Sequence, residues 1–335
     1  MLNKMKIQFN AAKLKVSRKL KTEKAWGMPS AVQIEVSNRC NCSCIMCNIE
    51  EMNKLRPPKF LSVKEVKGIL DQFPYVKHVA LAGLGEPLLN PHIADMVDLC
   101  TQRGMKSEIF TNAMLLSKDK IRLLTSAGLA HLNISIDSTD PKLFSQIRRG
   151  ADLETVVENV KEIIRFKKDH ISKKPSVRVI AVATKENVHQ LANIVQLAFD
   201  LKVDAITVKK VLTDGDDSLV IPEGSQQFQA DLLRLKENLL QKRPEFEILL
   251  AFAYGNRNNG KNLNRTLCQF PWSTTYITSE GEVTPCCAIP NAKNLSFGNV
   301  FTGRFDSMWN SKAYRDFRKN LKKRLPAVCR HCDIL

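Results

Sequence analysis

The sequence contains no apolar run of the ~18 residues that a membrane-spanning helix requires. Its N-terminus has no secretory h-region either, so nothing directs the chain out of the cytoplasm, and a cytoplasmic location is expected. Aromatic residues are few, at 7%, and no aromatic-rich RNA-binding segment interleaves the basic side chains. Repeats at a solenoid period and low-complexity tracts are also missing, which excludes a stacked-repeat architecture. Acidic residues are outnumbered, 34 against 51 basic ones, for a formal net charge of +17. Such a charge suits an anionic substrate, a nucleotide sugar, a lipid head group or nucleic acid without choosing among them.

What the chain does have is cysteine, ten in 335 residues. Small disulfide-stapled domains are shorter and exported, so the count needs another explanation. The cysteines are clumped, four between Cys40 and Cys47 and five from Cys268 onward, with Cys100 alone. Short spacing of this kind points to a metal or an iron–sulfur cluster. The hydrophobic fraction of 44% and charged fraction of 25% are those of a globular chain, and the length allows one large domain and a small one.

Three regions follow along the chain. Residues 1–30 form a basic lead-in whose lysines and arginines alternate with Met5, Ile7, Phe9, Leu14, Val16 and Leu20. It reads either as an amphipathic helix in weak contact with an anionic membrane surface, or as a solvated arm or a helix packed across the core. Residues 31–245 alternate amphipathic helices with strands expected at 31–37, 78–83, 106–111, 131–136, 176–184 and 205–209; one helix starts at Val188 with Asn187 as its N-cap. Six βα units in succession predict an α/β fold, a partial (β/α)6 TIM-like barrel. Beyond residue 245 the segments shorten and Asn, Gly, Pro and Cys accumulate, so residues 246–335 are expected to form a small iron–sulfur domain held by its metal centre.

The loop after the first strand carries Cys40, Cys44 and Cys47 in a C-x3-C-x2-C pattern. Three such ligands can hold three irons of a [4Fe–4S] cube and leave the fourth open. Carboxyl ends of barrel strands are where reactive groups gather. A zinc knuckle completed by Cys42 is the alternative reading of the spacing alone.

With this loop the sequence resembles the radical S-adenosylmethionine (radical SAM) superfamily. The resemblance implies that Cys40, Cys44 and Cys47 ligate a [4Fe–4S] cluster whose open iron chelates SAM, and that one electron splits SAM to a 5′-deoxyadenosyl radical. It implies that Met46 packs near the adenine. Gly85, Glu86 and Pro87, after Leu84, resemble the family's Gly-Gly-Glu-Pro segment at the methionine ammonium group. Thr111-Asn112-Ala113 resembles its Thr-Asn-Gly. Ser135 and Asp137 lie on one face of the fourth strand, where relatives place groups for the ribose and the methionine carboxylate; Asp137 as a turn cap is the other reading. Arg148 or Arg149 resembles an arginine that pairs with the SAM carboxylate.

The C-terminal cysteines resemble the SPASM and twitch extensions of that superfamily. Twelve residues separate Cys268 from Gly281 and four separate Gly281 from Cys286. The resemblance implies one auxiliary [4Fe–4S] cluster on Cys268, Cys286, Cys329 and Cys332, with Cys287 able to replace Cys286. A four-thiolate zinc site would satisfy the same spacing.

The activity so implied is hydrogen abstraction followed by oxidation or rearrangement, with an electron donor such as flavodoxin or ferredoxin. Residues 1–30 are short for a leader-peptide-binding domain, so a carbohydrate or other small-molecule substrate is expected, with peptide maturation (thioether formation or epimerisation) as the alternative. A non-catalytic, zinc-stabilised nucleic-acid-binding protein is the alternative of another class. No residue is marked as an acid or base acting on substrate.

Overall fold

The computed structural model describes residues 2–211, 217–222, 227–251, 268–287 and 295–323. Its strands are β1 (Ala31–Ile34), β2 (Ser43–Cys44), β3 (His78–Leu81), β4 (Lys106–Thr111), β5 (His131–Ser135), β6 (Arg148–Arg149), β7 (Ser176–Ala183), β8 (Ala205–Lys210), β9 (Glu247–Leu250), β10 (Tyr276–Ile277) and β11 (Val283–Thr284). The six strands expected from the sequence correspond to β1, β3, β4, β5, β7 and β8, alternating with helices. The fold is α/β with mostly parallel strands, and no closed barrel forms among the described residues. The chain divides into two compact units, Met1–Cys40 with Ile49–Glu108 and Arg265–Leu335, and Asn41–Asn48 with Ile109–Asn264.

In the first unit β1 pairs in parallel with β3, from Ala31 opposite His78 to Ile34 opposite Leu81. Its other edge pairs in parallel with β10, Gln33 opposite Tyr276, and β11 then returns antiparallel to β10. The chain after Cys268 therefore adds a hairpin to the edge of the first strand. Gly281 makes the turn of that hairpin possible: its φ is 88°, and a Cβ there would lie 2.4 Å from the Phe301 ring.

The lead-in is a helix, Leu2–Leu20, followed by a strap. The strap is fastened by indole donors: Trp272 Nε1 donates to Thr22 O at 2.7 Å, and Trp309 Nε1 to Gly27 O at 2.8 Å. The lead-in is thus a docked helix rather than a solvated arm, and the membrane-surface reading is a separate matter.

The second unit holds β5, β7, β8 and β9 side by side in parallel. Strands buried on both faces read as continuous apolar runs, as Ser176–Ala183 does, with Val177, Val179, Ile180, Ala181 and Ala183 all buried. β9 lies beyond residue 245; its four residues are too short to stand out before the Asn- and Gly-rich run that follows. The helix Leu153–Asp169 starts at Asp152, whose carboxylate accepts from Thr155 N at 2.8 Å, and it buries Val156, Val160 and Ile163 at helical spacing.

Asn187 occupies the N-cap position before Val188, as the sequence suggests, but its side chain makes no capping hydrogen bond. A 3-10 turn, Val188–Gln190, precedes the helix Leu191–Asp200. The Asn187 side chain instead accepts from Thr184 N (2.8 Å) and donates to Asp137 O (2.8 Å) and Val182 O (2.9 Å). Those buried carbonyls and amide at the strand ends have no ladder partner, and they claim the amide ahead of the helix. Among the described residues no helix is long and apolar enough to cross a membrane.

Candidate active site

The cysteine loop is a short ribbon in the second unit. β2 pairs antiparallel with β6, placing Cys44 opposite Arg148 and Ser43 opposite Arg149. Cys47 N donates to Cys44 O at 3.0 Å, so one turn carries both cysteines, and both are half-buried. Met46, between them, is also half-buried. Cys42 is buried and accepts from Asn112 Nδ2 at 3.3 Å, while the same amide donates to Asn41 Oδ1 at 2.9 Å. The Thr-Asn-Ala segment after β4 thus holds the loop from one side. Ala113 takes the left-handed φ of 60° that a glycine adopts more readily.

Arg148 is the charged centre of this unit. Its Nη2 forms an ion pair with Asp137 Oδ2 at 2.6 Å, both side chains being buried, and Nη1 lies 3.7 Å from Cys44 Sγ. Burial opposes the guanidinium charge, but Asp137, Cys44 and Cys42 outweigh it and hold the proton more firmly than usual. Asp137 also accepts from Val182 N at 2.6 Å, so it anchors Arg148 and the end of β7 rather than capping a turn. Arg149 is exposed, which separates the two arginines that the sequence leaves equivalent. Ser135 ends β5 half-buried.

The first unit holds the backbone up to Cys40. Glu86 N donates to Arg39 O at 2.8 Å, and a Cβ on Gly85 would lie 2.3 Å from Ser37 O and 2.6 Å from Arg39 O. Gly85 therefore lets one backbone approach another. Glu86 is buried, and its Oε1 accepts from Leu88 N at 3.0 Å, capping a 3-10 turn that begins at Pro87.

Beneath this segment lies a charge cluster that sequence reasoning missed. Glu35 is wholly buried in β1's continuation and pairs with Arg56, which also pairs with Glu280 at 2.8 Å. Ser279 N donates to Glu35 at 3.0 Å, and Asn38 Nδ2 donates to Glu280 at 2.9 Å. Burial opposes both charges; pairing wins, raising the Arg56 pKa and lowering that of Glu280. An acidic residue at an inward position of the strand Ala-Val-Gln-Ile-Glu-Val was the signal available.

In the C-terminal segment Cys268, Cys286 and Cys287 are half-buried. Burial raises the pKa of the Tyr314 hydroxyl, and Cys286 and Cys268 both add to the rise. Cys287 acts on Tyr276 instead, beside Glu35. Cys329 and Cys332 lie outside the described residues. Cys100 is a core residue: burial pushes its thiol up to about 12.

Against known families, the radical SAM superfamily model matches residues 34–198 and an iron–sulfur cluster-binding domain, SPASM, matches residues 268–333. The chain belongs to the radical SAM superfamily. This radical SAM protein is 27% identical over 325 residues to a tungsten-containing aldehyde ferredoxin oxidoreductase cofactor-modifying protein of Pyrococcus furiosus, covering 90% of this chain and 86% of that one. It is 25% identical over 324 residues to a PqqA peptide cyclase of Bradyrhizobium diazoefficiens, covering 93% of this chain and 80% of the relative. Among solved structures, Streptococcus suis SuiB bound to precursor peptide SuiA has the same fold, with a TM-score of 0.69 at 22% identity over 93% of this chain and 70% of that one.

The family's cofactors are [4Fe–4S] clusters and SAM. Two of the expected ligands fit a cluster: Cys44 and Cys47 sit on one turn with a buried cation 3.7 Å from Cys44 Sγ, an arrangement that favours thiolates.

Proposed function

We propose that this radical SAM enzyme modifies a peptide, forming a bond within it or epimerising a residue. The observation that carries the proposal is the similarity to a PqqA peptide cyclase over 93% of this chain and 80% of that one. It favours the peptide over the carbohydrate expected from the short lead-in, because leader recognition need not use a separate domain at residues 1–30. Cys40, Cys44 and Cys47 would hold the cluster that receives SAM, and Cys268, Cys286, Cys329 and Cys332 an auxiliary one.

When bound, these groups supply one electron to split SAM into methionine and a hydrogen-abstracting 5′-deoxyadenosyl radical, and a sink for the electron lost in bond formation. The chain's own residues do the rest. Arg148, fixed by Asp137, presents a cation beside Cys44 and offers charge complementarity to a carboxylate. Gly85 and Glu86 fix the backbone before Cys40. The excess of basic side chains suits association with an acidic electron carrier such as flavodoxin or ferredoxin.

Anaerobic purification tests the reading. Roughly eight irons per chain, as two cubane clusters require, and 5′-deoxyadenosine formation on reduction are expected. A peptide encoded beside the gene is expected to lose two hydrogens, or to invert a centre without mass change. Replacing Cys40, Cys44 and Cys47 by Ala should abolish deoxyadenosine. A colourless zinc protein, or turnover of a sugar and of no peptide, overturns the proposal.

A further inference from the structure

Among its described residues, the helix Leu2–Leu20 is fixed to the rest of the first unit through Asn10, Leu14 and Ser17. Asn10 exchanges two hydrogen bonds with the Met28 backbone, both 2.8 Å, and Ser17 Oγ accepts from Trp26 N at 2.9 Å. Leu14, between them, is buried. Met5, Phe9, Val16 and Leu20 occupy a separate face, roughly 120° around the helix. Their separations of four, seven and four residues keep them in one stripe of a helix with 3.6 residues per turn. All four are exposed, Phe9 at 64% and Leu20 at 58%.

Lysines border the stripe on both sides, Lys6 and Lys13 along one edge and Lys15 and Lys19 along the other; the Lys13 ammonium lies 4.4 Å from the centre of the Phe9 ring. The helix has no acidic residue.

The geometry points to this face as a dock for an anionic lipid surface, the stripe entering the headgroup boundary and the lysines meeting lipid phosphates. An apolar stripe between two cationic edges is the arrangement that holds a helix in the plane of such an interface. A protein partner fits less well. The stripe is the convex side of a single helix and offers a few hundred Å², short of the roughly 800 Å² that each side of a stable protein complex buries. A second copy would bring a like-charged edge against these lysines, on a chain of net charge +17. The inference is independent of the substrate, since the face belongs to the lead-in and not to the cysteine loop.

Sedimentation of the anaerobically reconstituted full chain with vesicles tests it. Binding to vesicles containing about half phosphatidylglycerol should exceed binding to pure phosphatidylcholine by at least about ten-fold. The double variant Phe9→Ser/Leu20→Ser, and separately Lys6→Gln/Lys13→Gln/Lys15→Gln/Lys19→Gln, should each lose about ten-fold of that affinity with iron content unchanged. Phe9→Trp keeps the stripe apolar, and its emission, taken as the difference from wild type, should shift to the blue on anionic vesicles. No binding to either vesicle overturns the inference. So does anionic binding that the Phe9/Leu20 variant retains in full, which would be bulk charge alone, or an unshifted difference emission in the Phe9→Trp variant. A concentration-dependent dimer abolished by the Phe9/Leu20 substitutions would assign the stripe to a second copy and overturn it as well.

Discussion

Arg148 reaches Asp137 with one nitrogen, at 2.6 Å, and Cys44 Sγ with another, at 3.7 Å, so a single buried guanidinium ties the chain just after β5 to the cysteine loop. Removing one member of a buried pair strands the other charge. Arg148→Met is therefore expected to destabilise the protein by about 3 kcal/mol in denaturant unfolding. It also removes a donor beside the Cys44 thiolate proposed to hold the cluster, so deoxyadenosine formation by the reconstituted variant should fall by roughly a hundred-fold. Wild-type turnover in Arg148→Met would reduce the arginine to a packing role.

Gly85 gives a purely steric prediction. A Cβ there meets the Ser37 and Arg39 carbonyl oxygens at 2.3 and 2.6 Å, and both belong to the backbone, which cannot swing aside as a side chain would. Gly85→Ala should cost about 3 kcal/mol, the upper range for forced overpacking. The displaced segment leads directly into Cys40, so the variant should also retain less iron after reconstitution. Iron content and a urea melt read the two effects separately.

The strands were legible because their apolar content and turn residues are local properties; Ser176–Ala183 could hardly be anything else. The family was legible because the spacing of the cysteine loop is the pattern that carries the resemblance. Glu35, Arg56 and Glu280 were not, since their relationship exists only once β10 joins the edge of β1, a pairing between residues more than 200 positions apart. The two arginines at 148 and 149 could not be told apart either; the antiparallel register of β2 with β6 puts one opposite Cys44 and turns the other to solvent. Asn187 was legible only in part, for a related reason. It does hold the N-cap position, but tertiary carbonyls take its side chain in place of a capping bond.

The Arg56 cluster makes stability depend on pH in a definite direction. Pairing with Arg56 holds Glu280 below its ordinary value despite burial. A carboxylate depressed in the folded state contributes stability above its unfolded pKa of about 4.3, and that contribution is lost as pH falls through the folded value. Thermal unfolding followed from about pH 6 downward should therefore show a loss setting in near pH 4.5 that is smaller in Glu280→Gln than in wild type. Above that range the variant should be the less stable of the two. Parallel curves at all pH values would mean that Glu280 gains nothing from its arginine.

Cys286 and Cys287 are neighbours in sequence, and the spacing of twelve residues from Cys268 to Gly281 and four more to the next cysteine falls on Cys286. If the auxiliary cluster is built on the Cys268 side, only one of the pair can serve it. Cys286→Ser should reduce iron from roughly eight to roughly four per chain, the content of a single cubane cluster. Cys287→Ser should keep both clusters. The SAM-binding centre is left intact in each variant, so uncoupled deoxyadenosine formation should persist in Cys286→Ser while conversion of the peptide substrate falls. Loss of iron in Cys287→Ser with retention in Cys286→Ser would reverse the assignment.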